Sequence, residues 1–161
     1  GEYCRKFSRG GKTGTGKDLA TVMFYRQVTN NDPMSLKLHM RGGTTTWAVI
    51  TSITNVNQED PIRSVSETSC DLAKDSVFPS VFGKENDVLL LSQSFDDSAV
   101  KSQFRRPVGT IRLGYTRSID EAGFLFGEKL DHTGKTGELT TRGDGGGSCK
   151  DALLSVVVNR N

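Results

Sequence analysis

The stretch "PVGTIRLGYTR" (107–117) decides the fold class. Ile111, Leu113 and Tyr115 alternate with Thr110, Arg112 and Thr116, so an extended chain sets its apolar residues on one side and its polar ones on the other. The same period of two recurs in "MSLKLHM" (34–40), where Met34, Leu36, Leu38 and Met40 face away from Ser35, Lys37 and His39. Outward from these, "TVMFYRQV" (21–28), "TTTWAVITSITNV" (44–56), "SVFPSVF" (76–82), "NDVLLLSQSF" (86–95), "GFLFGEKL" (123–130) and "CKDALLSVVVNR" (149–160) are rich in β-branched, aromatic and aliphatic residues. Between them lie "NNDP" (30–33), "RGG" (41–43) and "GKEN" (83–86), which are turn chemistry. About eight short strands separated by turns predict an all-β fold, an antiparallel β-sandwich of jelly-roll-like plan. Two short helical pieces are expected within it. One lies in "SVSETSCDLAKD" (64–75), where Ser64 and Glu67 have capping-box spacing, and the other is a single turn in "FDDSAVKSQF" (95–104).

Charge divides the chain more sharply than hydropathy does. Residues 1–18 hold Arg5, Lys6, Arg9, Lys12 and Lys17 against Glu2 and Asp18, whereas the rest carries nearly equal numbers of each sign. With five glycines and no hydrophobic period, 1–18 is expected to be a flexible basic N-terminal arm on a single sandwich domain, 19–161. The longest apolar runs, 88–91 and 156–158, are far too short to span a bilayer as a helix. Cys4, Cys70 and Cys149 are widely spaced, and with only His39 and His132 beside them they suggest no metal site or other cofactor.

Four stretches invite chemistry. "GKTGTGKD" (11–18) approximates a phosphate-binding loop but places Asp18 where a hydroxyl should hold magnesium, and a strand rather than a helix is expected to follow. "RGDGGGSCK" (142–150) suggests the nucleophile loop of chymotrypsin-like hydrolases, with His39 as base, Asp71 or Asp75 as its orienting acid, and Ser148 or Cys149 as nucleophile. Gly145 stands where such a loop has its serine, and Lys150 stands where a glycine should shape the oxyanion hole, so no catalytic residues are assigned. The tripeptide Arg142, Gly143 and Asp144 between small residues suits a receptor-binding loop at a cell surface. Finally, Arg105, Arg106 and Arg112 form a second basic group, joining Arg5, Lys6, Arg9, Lys12 and Lys17 as candidate contacts to nucleic-acid phosphates. Aromatic residues are not interleaved with these arginines along the chain, so no base-stacking platform is expected.

A short basic arm, a β-sandwich body and Ser/Thr/Gly-rich loops resemble, in general plan, small viral coat proteins. That resemblance implies a non-enzymatic structural protein that assembles with itself into a virion-like particle and touches nucleic acid through its arm. A surface module displaying 142–144 is the second expectation, and a cysteine or serine hydrolase the third.

Overall fold

The computed structural model describes residues 4–12, 18–26, 28, 35, 48–73, 75–96, 105–117, 121–142 and 149–161. Regular structure among them is entirely β: β1 (Cys4–Lys12), β2 (Asp18–Tyr25), β3 (Ile62–Ala73), β4 (Asp75–Phe78), β5 (Phe82–Gly83), β6 (Val88–Asp96), β7 (Ile111–Arg117), β8 (Glu121–Lys129), β9 (Gly134–Lys135), β10 (Leu139–Arg142) and β11 (Cys149–Val158). Every strand pairing is antiparallel, so the chain is an all-β protein. No helix among the described residues is long and apolar enough to cross a membrane.

The main sheet has five strands in the order β3-β11-β6-β8-β7, and two-stranded ribbons β1-β2, β4-β10 and β5-β9 accompany it. Both faces of this sheet are covered. On one face Leu89 and Leu91 of β6, Ala122, Phe124 and Phe126 of β8, and Leu153 and Val157 of β11 pack with Phe78, Val81, Leu130 and Leu139. On the other face Leu90, Leu125, Leu154, Val156 and Val158 pack with Met23, Val49, Ile53, Val56 and Val65. A strand apolar on both faces has no alternation to show, which explains the continuous runs "VLLL" in β6 and "ALLSVVV" in β11. Burying each such aliphatic side chain favours folding by about 2 kcal/mol, so these faces supply the main driving force. Ser155 is the exception, fully buried in β11 with an Oγ that has no hydrogen-bond partner among the described residues. Ser155→Ala is therefore expected to raise stability by about 1 kcal/mol in chemical denaturation. A loss instead would show that the hydroxyl is satisfied.

Three expectations change. Where a short helix was anticipated in 64–75, the described residues are strand, because Ile62–Ala73 pairs along its length with β11. A capping-box spacing is a weak local preference, and ladder bonds plus the burial of Val65 outweigh it. The strand anticipated in 44–56 is not formed over 48–56, apart from an isolated bridge between Val56 and Arg160. Its apolar residues Val49, Ile53 and Val56 cover the sheet instead of extending it. The segment anticipated as a free arm carries β1, hydrogen-bonded to β2 in a hairpin. Glycine and charge obscured this strand, since a ladder rests on backbone groups that every residue except proline supplies. The strand expected over 34–40 and the helical turn expected after Asp96 lie outside the described residues, apart from Ser35, which is in no strand.

One polar knot ties the sheet's end. Asp87, 1 % exposed, precedes β6 and accepts hydrogen bonds from Arg63 Nε, from the Lys84 backbone N–H at 2.8 Å and from the Arg160 backbone N–H at 3.1 Å. Arg63 also donates to Asn159 Oδ1, and Asn159 Nδ2 donates to the Asp60 carbonyl at 2.9 Å. Burial by itself would raise the Asp87 pKa, but these donors and the Arg63 charge together hold it below 3.8.

Candidate nucleic-acid interface

The chemistry of the β7 edge begins with a register shift. Ile111 lies opposite Gly127 and Arg112 opposite Phe126, but Gly114 then lies opposite Leu125 and Tyr115 opposite Phe124. Leu113 is the extra residue of a β-bulge. Directly opposed residues of an antiparallel pair share a face, so the bulge puts Arg112 and Tyr115 on the same face as Phe126 and Phe124. An unbroken alternation would have placed them on opposite faces. Gly127 makes room for the bulge, because a Cβ there would come within 2.6 Å of Leu113 Cδ1. The strand is launched by a tight turn in which the Thr110 N–H and hydroxyl both donate to the Pro107 carbonyl, at 3.2 and 2.8 Å. Gly109, at φ +86°, supplies the left-handed residue this turn requires.

The outcome is a row of flat groups. The Arg112 guanidinium carbon lies 5.4 Å from the Tyr115 ring centroid. Tyr115 stacks on Phe124 at 5.4 Å with 24° between the planes, and Phe124 stacks on Phe126 at 5.7 Å with 10°. Phe126 meets Phe78 edge-on at 6.4 Å, which anchors the row in the core. Phe124 and Phe126 are buried, whereas Tyr115 is 49 % exposed and Arg112 is exposed beside it. Arg106, Arg112, Phe124 and Phe126 line a groove of about 290 Å³. Among the described residues neither Arg106 nor Arg112 has a carboxylate within ion-pair distance. Farther along β8, burial first and then the Asp131 charge raise the Glu128 carboxyl above 4.5, against a smaller lowering by His132. A groove with aromatic walls and two guanidinium groups that have no ion pair among the described residues can stack a planar ligand and hold an anion.

The candidate basic residues do not form one site. Arg105 and Arg106 are exposed just ahead of β7, and Arg112 lies within it. Arg5, Lys6, Arg9 and Lys12 are on β1, which runs against β3 and β11 at the other side of the main sheet. Lys12 ends β1 and Asp18 begins β2, so a strand follows the would-be phosphate loop. Lys17, His39, Gly143, Asp144 and Ser148 lie outside the described residues. Arg142 closes β10 opposite Asp75, Cys149 opens β11 opposite Ala73, and Lys150 lies opposite Asp71 in the ladder. No group of three or more His, Cys, Asp or Glu residues placed to hold a metal occurs among the described residues.

Chain order shows no aromatic residues interleaved with the arginines, but strand pairing brings rings beside Arg112. Tyr115, Phe124 and Phe126 are interleaved with Arg112 across β7 and β8 rather than along either strand. The one sequence signal was "FLF" (124–126), whose two rings must share a face in any strand. Compared with protein-family models, with curated proteins and with solved structures, the chain finds no match.

Proposed function

We propose that this chain is a non-enzymatic structural subunit that assembles with itself, a small coat-type protein whose basic residues contact nucleic acid. In this reading 19–161 is a β-sandwich body of jelly-roll-like plan and 1–18 its basic segment. Coverage of both sheet faces by ribbons and by 48–56 supports the sandwich.

The observation that carries self-assembly is the outer edge of the sheet. β7 is the terminal strand, paired only with β8 among the described residues. The bulge at Leu113 and the charge of Arg112 blunt part of this edge, but its start is apolar and open, since Ile111 is 59 % exposed and Val108, in the turn before it, is 89 % exposed. Apolar side chains beside open ladder groups favour pairing with another chain. Native mass by light scattering, with ultraviolet absorbance recorded across the peak, tests this at low and high salt. The wild type is expected to run as an oligomer that carries nucleic acid at low salt. Ile111→Lys, which puts a charge on the open edge, is expected to run as a monomer. A wild type that stays monomeric at every concentration overturns the reading.

A further inference from the structure

We propose that the β7–β8 face is a stacking site for an unpaired base of single-stranded nucleic acid. Tyr115 and the Arg112 guanidinium are its flat surfaces, and Arg106 is its phosphate contact. The proposal rests on the nucleic-acid part of the reading above and adds which form of strand is bound, and where.

Tyr115 ends a row of near-parallel rings, with Phe124 and Phe126 behind it at 5.4 and 5.7 Å spacings. Because Phe124 stacks on Tyr115 and the Arg112 guanidinium lies over the same ring, an incoming base stacks on the exposed part of the ring and on the guanidinium plane. The two phenylalanines are already ordered in the core, so little side-chain freedom remains to be lost on binding. Arg112 adds a weakly hydrated planar cation against the same ring, a group that stacks on bases and donates to phosphates. Arg106, exposed on the groove wall and without a carboxylate partner among the described residues, complements the negative backbone of the ligand.

Size and chemistry select the form of the ligand. The groove of about 290 Å³ lined by Arg106, Arg112, Phe124 and Phe126, next to Tyr115 through Arg112 and Phe124, suits one nucleoside and is far too small for a duplex. In a duplex the faces of each base are covered by its neighbours, so only an unpaired base reaches Tyr115. An acidic peptide would satisfy the arginines but would leave the ring face unused.

The test is a fluorescence titration of the full chain with a labelled oligouridylate and with the duplex it forms with oligoadenylate. Wild type is expected to favour the single strand. Tyr115→Ala should weaken single-strand binding about tenfold and leave duplex binding unchanged, as loss of one stacked base does. Tyr115→Phe should retain wild-type affinity. Tyr115→Leu keeps the apolar contact with Phe124 but lacks a flat face, so it reads the same loss if the alanine variant unfolds. Arg106→Gln should weaken both ligands and lower the salt slope by about one. Single-strand affinity that is unchanged in both Tyr115→Ala and Tyr115→Leu overturns the stacking site while leaving assembly and phosphate contact standing. So does oligoglutamate competing with equal strength whatever residue stands at 115. A wild type that binds neither strand overturns the nucleic-acid reading itself, with self-assembly still judged by light scattering.

Discussion

Asp87→Asn is expected to destabilise the fold by about 3 kcal/mol, measured by urea denaturation at neutral pH. Both oxygens of Asp87 are acceptors. Oδ2 receives Arg63 Nε and the Lys84 N–H, and Oδ1 receives the Arg160 N–H. An asparagine amide has one acceptor and one donor group, so either orientation sets its NH₂ against an N–H already pointing inward. The Arg63 charge is then left part-buried without its counter-charge, and the cost of breaking such a pair exceeds the net worth of the pair. The effect has a defined pH dependence. Because the folded Asp87 pKa lies below 3.8, its ionised form stabilises the fold fully above the unfolded value, and that contribution is lost as pH falls through the folded pKa. Wild type and variant should therefore converge in acid. A difference under about 1 kcal/mol at neutral pH, or one independent of pH, would show that the knot does not tie the sheet.

Phe126→Ala is expected to cost about 4 kcal/mol. The ring is 1 % exposed, held edge-on by Phe78 and face-on by Phe124, at the centre of the cluster on that side of the sheet. Truncation removes its transfer free energy and leaves a cavity whose walls are strand residues fixed by ladder bonds, so little collapse relieves it. Phe126→Leu should cost far less, about 1 kcal/mol, because most of the volume is kept. The pair of variants separates volume from ring chemistry. Equal losses would mean that stacking in the row, rather than filling the core, holds the residue in place.

The two variants probe parts of the molecule that differ in how legible they were. Phe126 belongs to a run whose strand character follows from local composition, and "FLF" (124–126) places both rings on one face without knowledge of any partner. The Asp87 knot joins residues before and at the start of β3, before β6 and after β11. No spacing in the chain brings Arg63, Asp87 and Asn159 together, because strand order alone makes them neighbours. The basic group at 105, 106 and 112 was visible as charge. Its aromatic partners were not, since one inserted residue, Leu113, reversed the face of everything after it.

The sequence by itself determined the all-β class, the positions of most strands in the second half of the chain, and the separation of a basic end from a near-neutral body. Those properties follow from residue type and period two, which are local. Tertiary structure alone decided that 64–73 is strand, that 48–56 covers the sheet rather than joining it, and that Cys4–Lys12 is paired. It also decided that Arg112 shares a face with Tyr115. The physical reason is the same in each case. Local preferences are worth tenths of a kcal/mol per residue, whereas ladder bonds and apolar burial against a particular partner are worth several times that, and the partner is distant in sequence.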